Sequence, residues 1–86
     1  MRRAAMDAGK TDIAKTLDMT GFFCPEPVVQ TSSEIGDIEV GEVLEMLADD
    51  PSARSDMESW SKRTGHELVS VDEEDGVLRF LIRRMS

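Results

Sequence analysis

A predicted strand and a predicted helix meet within residues 20–29, which read Thr-Gly-Phe-Phe-Cys-Pro-Glu-Pro-Val-Val. The Thr-Gly pair interrupts an alternation of apolar and polar residues that runs from Ile13 to Met19 and indicates a half-buried strand. Pro25 and Pro27 fit only the first turn of a helix, where the missing N–H is not needed and φ is already near the helical value. The stretch therefore predicts a strand, a short break and the start of a helix.

The rest of the chain continues this alternation of elements. The predicted elements are a helix over 25–38, a strand over 42–48, a helix over 51–64 ended by Gly65, a strand over 66–71, an acidic turn over 72–76 and a strand over 77–84. Each helix has one narrow apolar stripe, which predicts an α/β (α+β) two-layer sandwich of order β-α-β-α-β-β. In this fold two helices cover one face of a four-stranded mixed sheet. On the other face we expect an apolar patch of Val43, Leu47, Val69 and Leu81.

The size and charge of the chain exclude several classes of protein. Its 86 residues suffice for one domain, which we assign to residues 13–86 behind a flexible leader over residues 1–12. A net charge of −8 argues against direct nucleic-acid binding, which depends on basic contacts. No apolar run is long enough to span a bilayer, and no signal peptide is apparent, so we expect no membrane insertion and a cytoplasmic protein.

Cys24 is the only cysteine, so it cannot form an internal disulfide, and a reducing compartment would keep it as a free thiol. A helix N-terminus favours the thiolate, whereas the nine acidic residues and no Lys or Arg between Thr16 and Ala53 oppose it. The thiol could accept a persulfide sulfur, form a mixed disulfide or act with His66 as a nucleophile, or it could be a small buried apolar group. One Cys and one His fall short of a zinc site, so we predict no metal and no cofactor.

The spacing Leu17-Asp18-x-x-Gly21-x-x-Cys24-Pro25-Glu26-Pro27-Val28 resembles the Cys-Pro-x-Pro signature of the TusA/SirA family of small sulfur-carrier proteins. The resemblance extends over about residues 15–84. It continues through Gly41-Glu42-x-Leu44, Ala48-Asp49-Asp50-Pro51, Trp60 and Gly65-His66-x-Leu68.

The resemblance implies that Cys24 carries sulfur as a persulfide. The sulfur would come from a cysteine desulfurase or rhodanese-like donor and pass to an acceptor protein in tRNA thiolation, cofactor assembly or sulfur metabolism. Pro25 and Pro27 would set the helix start, with Glu26 beside the sulfur on the first turn. Such a chain would act with partners, as a monomer without direct nucleic-acid contact, rather than as a stand-alone enzyme. The alternative is a non-catalytic interaction or redox-regulatory module of the same fold.

Phe22 and Phe23 depart from the family pattern, which commonly has a polar or basic residue just before the cysteine. One of them could be exposed as a docking contact for a partner, or it could cap the core.

Overall fold

Four strands form one mixed sheet in the order β1-β2-β4-β3 in the computed structural model, which describes residues 13–23 and 25–86. The leader assigned to residues 1–12 and Cys24 itself lie outside the described residues. The elements are β1 (Ile13–Asp18), α1 (Glu26–Glu34) with a 3₁₀ turn (Ile35–Asp37), β2 (Val43–Ala48), α2 (Ala53–Thr64), β3 (Glu67–Glu74) and β4 (Val77–Arg83). This order confirms the predicted β-α-β-α-β-β arrangement.

The sheet combines one parallel and two antiparallel pairs. β1 runs parallel to β2, and the crossover between them contains α1, as a parallel connection requires. β2 pairs antiparallel with β4, and β4 pairs antiparallel with β3 through a hairpin. The carboxyl ends of β1 and β2 therefore lie at the same end of the sheet.

Both helices pack on one face of the sheet, as predicted. A single apolar core joins Ile35, beyond the end of α1, and Met57 of α2 to the inward residues of β2 and β4. Trp60 of α2 is buried, and its indole Nε1–H donates to the Ser32 hydroxyl of α1 at 2.6 Å. This bond links the two helices across the top of the core.

Three helix boundaries differ from the sequence predictions. The first α-helix ends at Glu34 rather than Ile38, and it gives way to a 3₁₀ turn containing Gly36, because glycine is a poor helix former. Pro25 is the N-cap residue rather than the first helical residue. In the same way α2 begins at Ala53, two residues after Pro51.

The acidic run after β3 is mostly strand, and its prediction as a turn over 72–76 was wrong. β3 continues to Glu74, and only Asp75 and Gly76 form the turn, with φ of 54° and 82°. Two residues with positive φ are what a tight hairpin with twisted strands requires. Asp72 lies opposite Arg79 of β4, so cross-strand pairing extends a strand that local propensity does not favour.

The second face of the sheet is less apolar than predicted. The register places Leu47 opposite Arg79, and Glu45 opposite Leu81, so an ion pair between Glu45 and Arg79 interrupts the expected patch. Val43 is only 1% exposed, so it contributes no accessible apolar surface there. No helix among the described residues is long and apolar enough to cross a membrane.

A matched pair of substitutions on β2 tests which face of the sheet carries the core. Leu44→Ala should lower the free energy of unfolding by about 2 to 5 kcal/mol, because Leu44 is fully buried under the helices. Leu47→Ala, on the opposite face of the same strand and only partly buried, should cost about 1 kcal/mol. Urea unfolding measures both values, and equal losses would contradict this assignment of faces.

Candidate functional site

The segment on either side of Cys24 leaves the sheet at the carboxyl end of β1. Met19 is buried, and its N–H donates to the Leu47 carbonyl at 2.8 Å, which extends the β1–β2 pairing one residue beyond β1. The Phe22 N–H then donates to the Met19 carbonyl at 3.2 Å and closes a turn. The chain therefore enters residues 22–26 from a point fixed by the neighbouring strand.

A local carboxylate stabilises this turn. Asp18 Oδ1 accepts hydrogen bonds from the Thr20 hydroxyl at 2.6 Å and from the Thr20 N–H at 3.1 Å. These two bonds, the hydroxyl bond first, lower the pKa of Asp18 below its ordinary value. A carboxylate with a lowered pKa stabilises the folded state above its unfolded pKa, and that contribution is lost as the pH falls through the folded pKa.

A second carboxylate reaches the turn from another element. The Gly21 N–H donates to Asp49 Oδ1 at 3.0 Å, across 28 residues of sequence. Gly21 has a φ of +89°, and among the residues that the structure describes no non-neighbouring group lies within 4 Å of the position that a Cβ would occupy, so glycine is needed there for its backbone angle rather than for space. The Asp49-Asp50 pair predicted only a helix start, and no local signal in the sequence pointed to this contact.

The two prolines and Glu26 form the start of α1. The Glu26 N–H donates to the Phe23 carbonyl, and the Val29 N–H donates to the Pro25 carbonyl, each at 2.9 Å. Pro27 occupies the first turn, is buried, and has no N–H to satisfy. Glu26 is exposed in the same turn, where a negative charge suits the helix dipole.

Exposed apolar side chains occur in the sequence on both sides of the start of α1. Phe22 is 47% exposed and Phe23 is 76% exposed, so neither belongs to the buried core. Val29, one turn into α1, is 55% exposed. We call Phe22, Phe23 and Val29 the apolar rim. Exposed apolar side chains, where they form a contiguous patch, are typical of a protein-binding surface.

Lys15, Arg54 and the arginines of the C-terminal segment lie outside the stretch without Lys or Arg, so only the fold could bring them to the thiol, and most of them are held elsewhere. Lys15 pairs with Glu34, the last residue of α1, and with Asp37 just beyond it, and hydrogen bonds from Lys15 to these carboxylates raise the pKa of its ammonium group. Arg84 donates to the carbonyls of Ile38 and Gly36, beyond the same end of α1. These side chains therefore lie at the end of α1 opposite the Cys-Pro-x-Pro segment.

The remaining arginines of the C-terminal strand pair on the sheet. Arg79 pairs with Glu45, and Arg83 Nη1 lies 2.9 Å from Glu67 Oε1. Arg54, on the first turn of α2, instead lines a shallow cavity together with Asp49. Of the candidate cations, Arg54 is thus the one that the fold places near the loop after β2.

His66 is part of the packing between α2 and the C-terminal segment. Its Nδ1 accepts the Met85 N–H at 3.0 Å, its ring stacks on Trp60 with centroids 5.5 Å apart, and its carbonyl accepts the Ser61 hydroxyl at 2.6 Å. These contacts support a structural role for His66 rather than that of a catalytic base acting with Cys24. Among the residues the structure describes, no group of three or more His, Cys, Asp or Glu side chains could hold a metal ion.

The fold and this loop identify a class of protein. The model of the family described as "Sulfurtransferase TusA" matches residues 15–84. This range contains both α-helices and all four strands of the described structure except the first two residues of β1. The chain belongs to the TusA sulfurtransferase family.

Individual relatives agree with this assignment. A protein of Archaeoglobus fulgidus described as a putative sulfur carrier protein is 47% identical over 70 residues, which are 80% of this chain and 91% of the relative. The sulfur carrier protein TusA of Pseudomonas syringae is 40% identical over 70 residues, 81% of this chain and 83% of the relative. The crystal structure of a SirA-like protein from Desulfitobacterium hafniense superposes with a TM-score of 0.73 at 26% identity, covering 84% of this chain and 99% of that one.

Removing the Thr20 hydroxyl tests the hydrogen bonding of the turn. Thr20→Val should raise the pKa of Asp18 toward its ordinary value, because the hydroxyl bond is the largest cause of the lowering. Thr16→Val is the matched control, since the Thr16 hydroxyl donates to Glu45 instead and should leave Asp18 unchanged. Carboxyl carbon shifts followed by NMR against pH give both values, and an unmoved Asp18 midpoint in Thr20→Val would refute the contact.

Proposed function

We propose that this protein is a sulfur carrier that holds sulfur as a persulfide on Cys24. The observation that carries the proposal is the family match over residues 15–84, a range that contains the Cys24-Pro25-Glu26-Pro27 signature. The signature lies at the start of α1, which begins at Glu26. The donor would be a cysteine desulfurase or a rhodanese-type protein. The acceptor would be a protein of tRNA thiolation, cofactor assembly or sulfur metabolism.

The transfer step needs one sulfur atom and no resolving thiol. The Cys24 thiolate attacks the terminal sulfur of a donor persulfide, R–S–SH, and the bond between the two donor sulfurs breaks. The electron pair leaves on the donor thiolate, and the product Cys24–S–SH keeps the proton, so no oxidant or reductant is consumed. In the delivery step an acceptor thiolate attacks the outer sulfur of Cys24–S–SH, the bond between the two sulfurs breaks, and the Cys24 thiolate leaves. A single cysteine in the chain suits this exchange between proteins.

The start of α1 supports a reactive thiolate at Cys24. Cys24 directly precedes the N-cap residue of a nine-residue helix, and a helix N-terminus favours the charged form of a cysteine. Pro27 keeps the first turn helical without adding an N–H. The thiolate is the form that attacks sulfur, and a reducing cytoplasm would keep it from being consumed in a disulfide.

The apolar rim is the docking surface in this proposal. A partner must bring its own sulfur within bonding distance of Cys24, so the surface beside Cys24 has to match a partner surface. Phe22 and Phe23 place two aromatic rings at that position, and aromatic side chains are frequent anchors of protein interfaces. Phe23 stands at the position where the family pattern commonly has a polar or basic residue, which suggests a donor or acceptor with an apolar recess.

Substitution of Cys24 tests the carrier role directly. After incubation with a cysteine desulfurase and cysteine, the intact mass should rise by one sulfur atom, and a reductant should remove the increase. Cys24→Ser should show no increase. A wild-type protein that takes up no sulfur from desulfurase or rhodanese donors would rule out the carrier role and favour the interaction or redox-regulatory module.

Substitution of Phe23 tests the docking role of the apolar rim. Phe23→Ser should slow sulfur loading from a partner donor about tenfold, because loss of an aromatic anchor weakens docking. Val40→Ser is the matched control, since Val40 is 59% exposed but precedes β2 at the opposite end of the sheet. Alkylation by iodoacetamide should be equally fast in all three proteins. Equal loading by Phe23→Ser and wild type would remove Phe23 from the docking surface.

A further inference from the structure

The turn that leads to Cys24 is fastened by two carboxylates on successive N–H groups. Asp18 binds the Thr20 N–H, and Asp49 binds the Gly21 N–H at 3.0 Å. Asp18 lies in the same stretch of chain as the turn, so its bonds shape the turn without fixing its position. Asp49 belongs to the loop after β2, so its bond ties the turn to a different part of the fold.

The residues before and after Asp49 in the sequence are both fixed by the fold. Ala48 is fully buried and pairs with Leu78 of β4, so the chain reaches Asp49 from the centre of the sheet. On the other side, Asp50 Oδ1 accepts the Ser52 N–H at 3.0 Å and the Ser52 hydroxyl at 2.9 Å, just before α2 begins. Two adjacent aspartates therefore have separate tasks, since Asp50 shapes the approach to α2 and Asp49 faces the turn.

We infer that Asp49 is a positioning residue for sulfur transfer, which holds the Gly21 N–H and so fixes the loop that presents Cys24 and the apolar rim to a partner. The inference rests on the proposed carrier function. Gly21 lies three residues before Cys24, and glycine has more backbone freedom than any other residue. Without the bond from Asp49, a docking partner would have to order this loop at the moment of binding, which costs entropy.

The acceptor atom, rather than the negative charge, performs this task. Asn retains a side-chain oxygen that can accept the Gly21 N–H but has no charge, whereas Ala has neither. Asp49→Asn should therefore behave as wild type, and Asp49→Ala should not. If Asp49 acted by attracting a basic partner, both variants would be impaired to the same extent.

The experiment compares these variants in the full chain by two measurements. The first is the rate of sulfur loading from a cysteine desulfurase supplied with cysteine, read by intact mass. The second is the exchange rate of the Gly21 amide proton, read by NMR. Asp49→Ala should slow loading between about threefold and about tenfold and should speed Gly21 exchange by a similar factor, as expected for one lost hydrogen bond. Asp49→Asn should leave both rates near those of wild type.

Ser61→Ala is the control for a merely structural effect. It removes the bond from the Ser61 hydroxyl to the His66 carbonyl, at the far end of α2, and should lower the melting temperature without changing either rate. The inference is overturned if Asp49→Ala loads sulfur as fast as wild type, if Asp49→Asn is as slow as Asp49→Ala, or if Ser61→Ala slows loading to the same degree.

The two measurements also separate this inference from the proposed function. A wild-type protein that takes up no sulfur defeats the carrier role, and the Gly21 exchange rates then decide the role of Asp49 in fixing the loop. Unchanged Gly21 exchange in Asp49→Ala overturns the inference even if wild type loads normally. Faster exchange in Asp49→Ala but not in Asp49→Asn supports the role of Asp49 in fixing the loop.

Discussion

The parallel pairing of β1 with β2 determines where every group of the site lies. A parallel pair brings the carboxyl ends of both strands to the same end of the sheet, and the chain must cross over between them. The crossover here contains α1, so the first turn of that helix begins beside the ends of both strands. The loop before α1 and the loop after β2 thus become neighbours, although they are 28 residues apart at the contact of Gly21 with Asp49. Carboxyl ends of parallel strands are common positions for functional loops for this reason.

Local signals in the sequence predicted the elements and their order because each depends on a few adjacent residues. Gly21 marked the end of β1, Pro25 and Pro27 marked the start of α1, and Gly65 ends α2 in the left-handed conformation that glycine favours. The extent of β3 was not predictable in the same way. Its acidic residues disfavour a strand locally, and only pairing with β4, which includes Asp72 opposite Arg79, extends it to Glu74. The bonds of Asp49 to Gly21 and of Trp60 to Ser32 likewise join residues that only the fold brings together.

The cationic side chains that contact α1 and its 3₁₀ turn lie at the C-terminal end of the helix rather than evenly along it. Lys15 and Arg84 lie at its C-terminal end, where Lys15 pairs with Glu34 and Asp37 and Arg84 donates to the carbonyls of Gly36 and Ile38. Cations at that end suit the helix dipole, and Glu26 in the first turn suits the other end. The lack of Lys and Arg between Thr16 and Ala53 in the sequence therefore does not leave the helix without cationic partners, because Lys15 of β1 and Arg84, just after β4, supply them.

The exposed phenylalanines and the net charge of −8 have opposite effects on self-association. Two aromatic side chains on the surface of a small protein favour self-association, since burial against a second copy would remove them from water. A strong net charge of one sign makes copies of the chain repel one another at distances up to the Debye length, which limits such encounters at physiological salt. A partner of opposite charge meets no such barrier. The acidic composition therefore opposes the self-association that the exposed phenylalanines favour, whereas it attracts any protein of opposite charge.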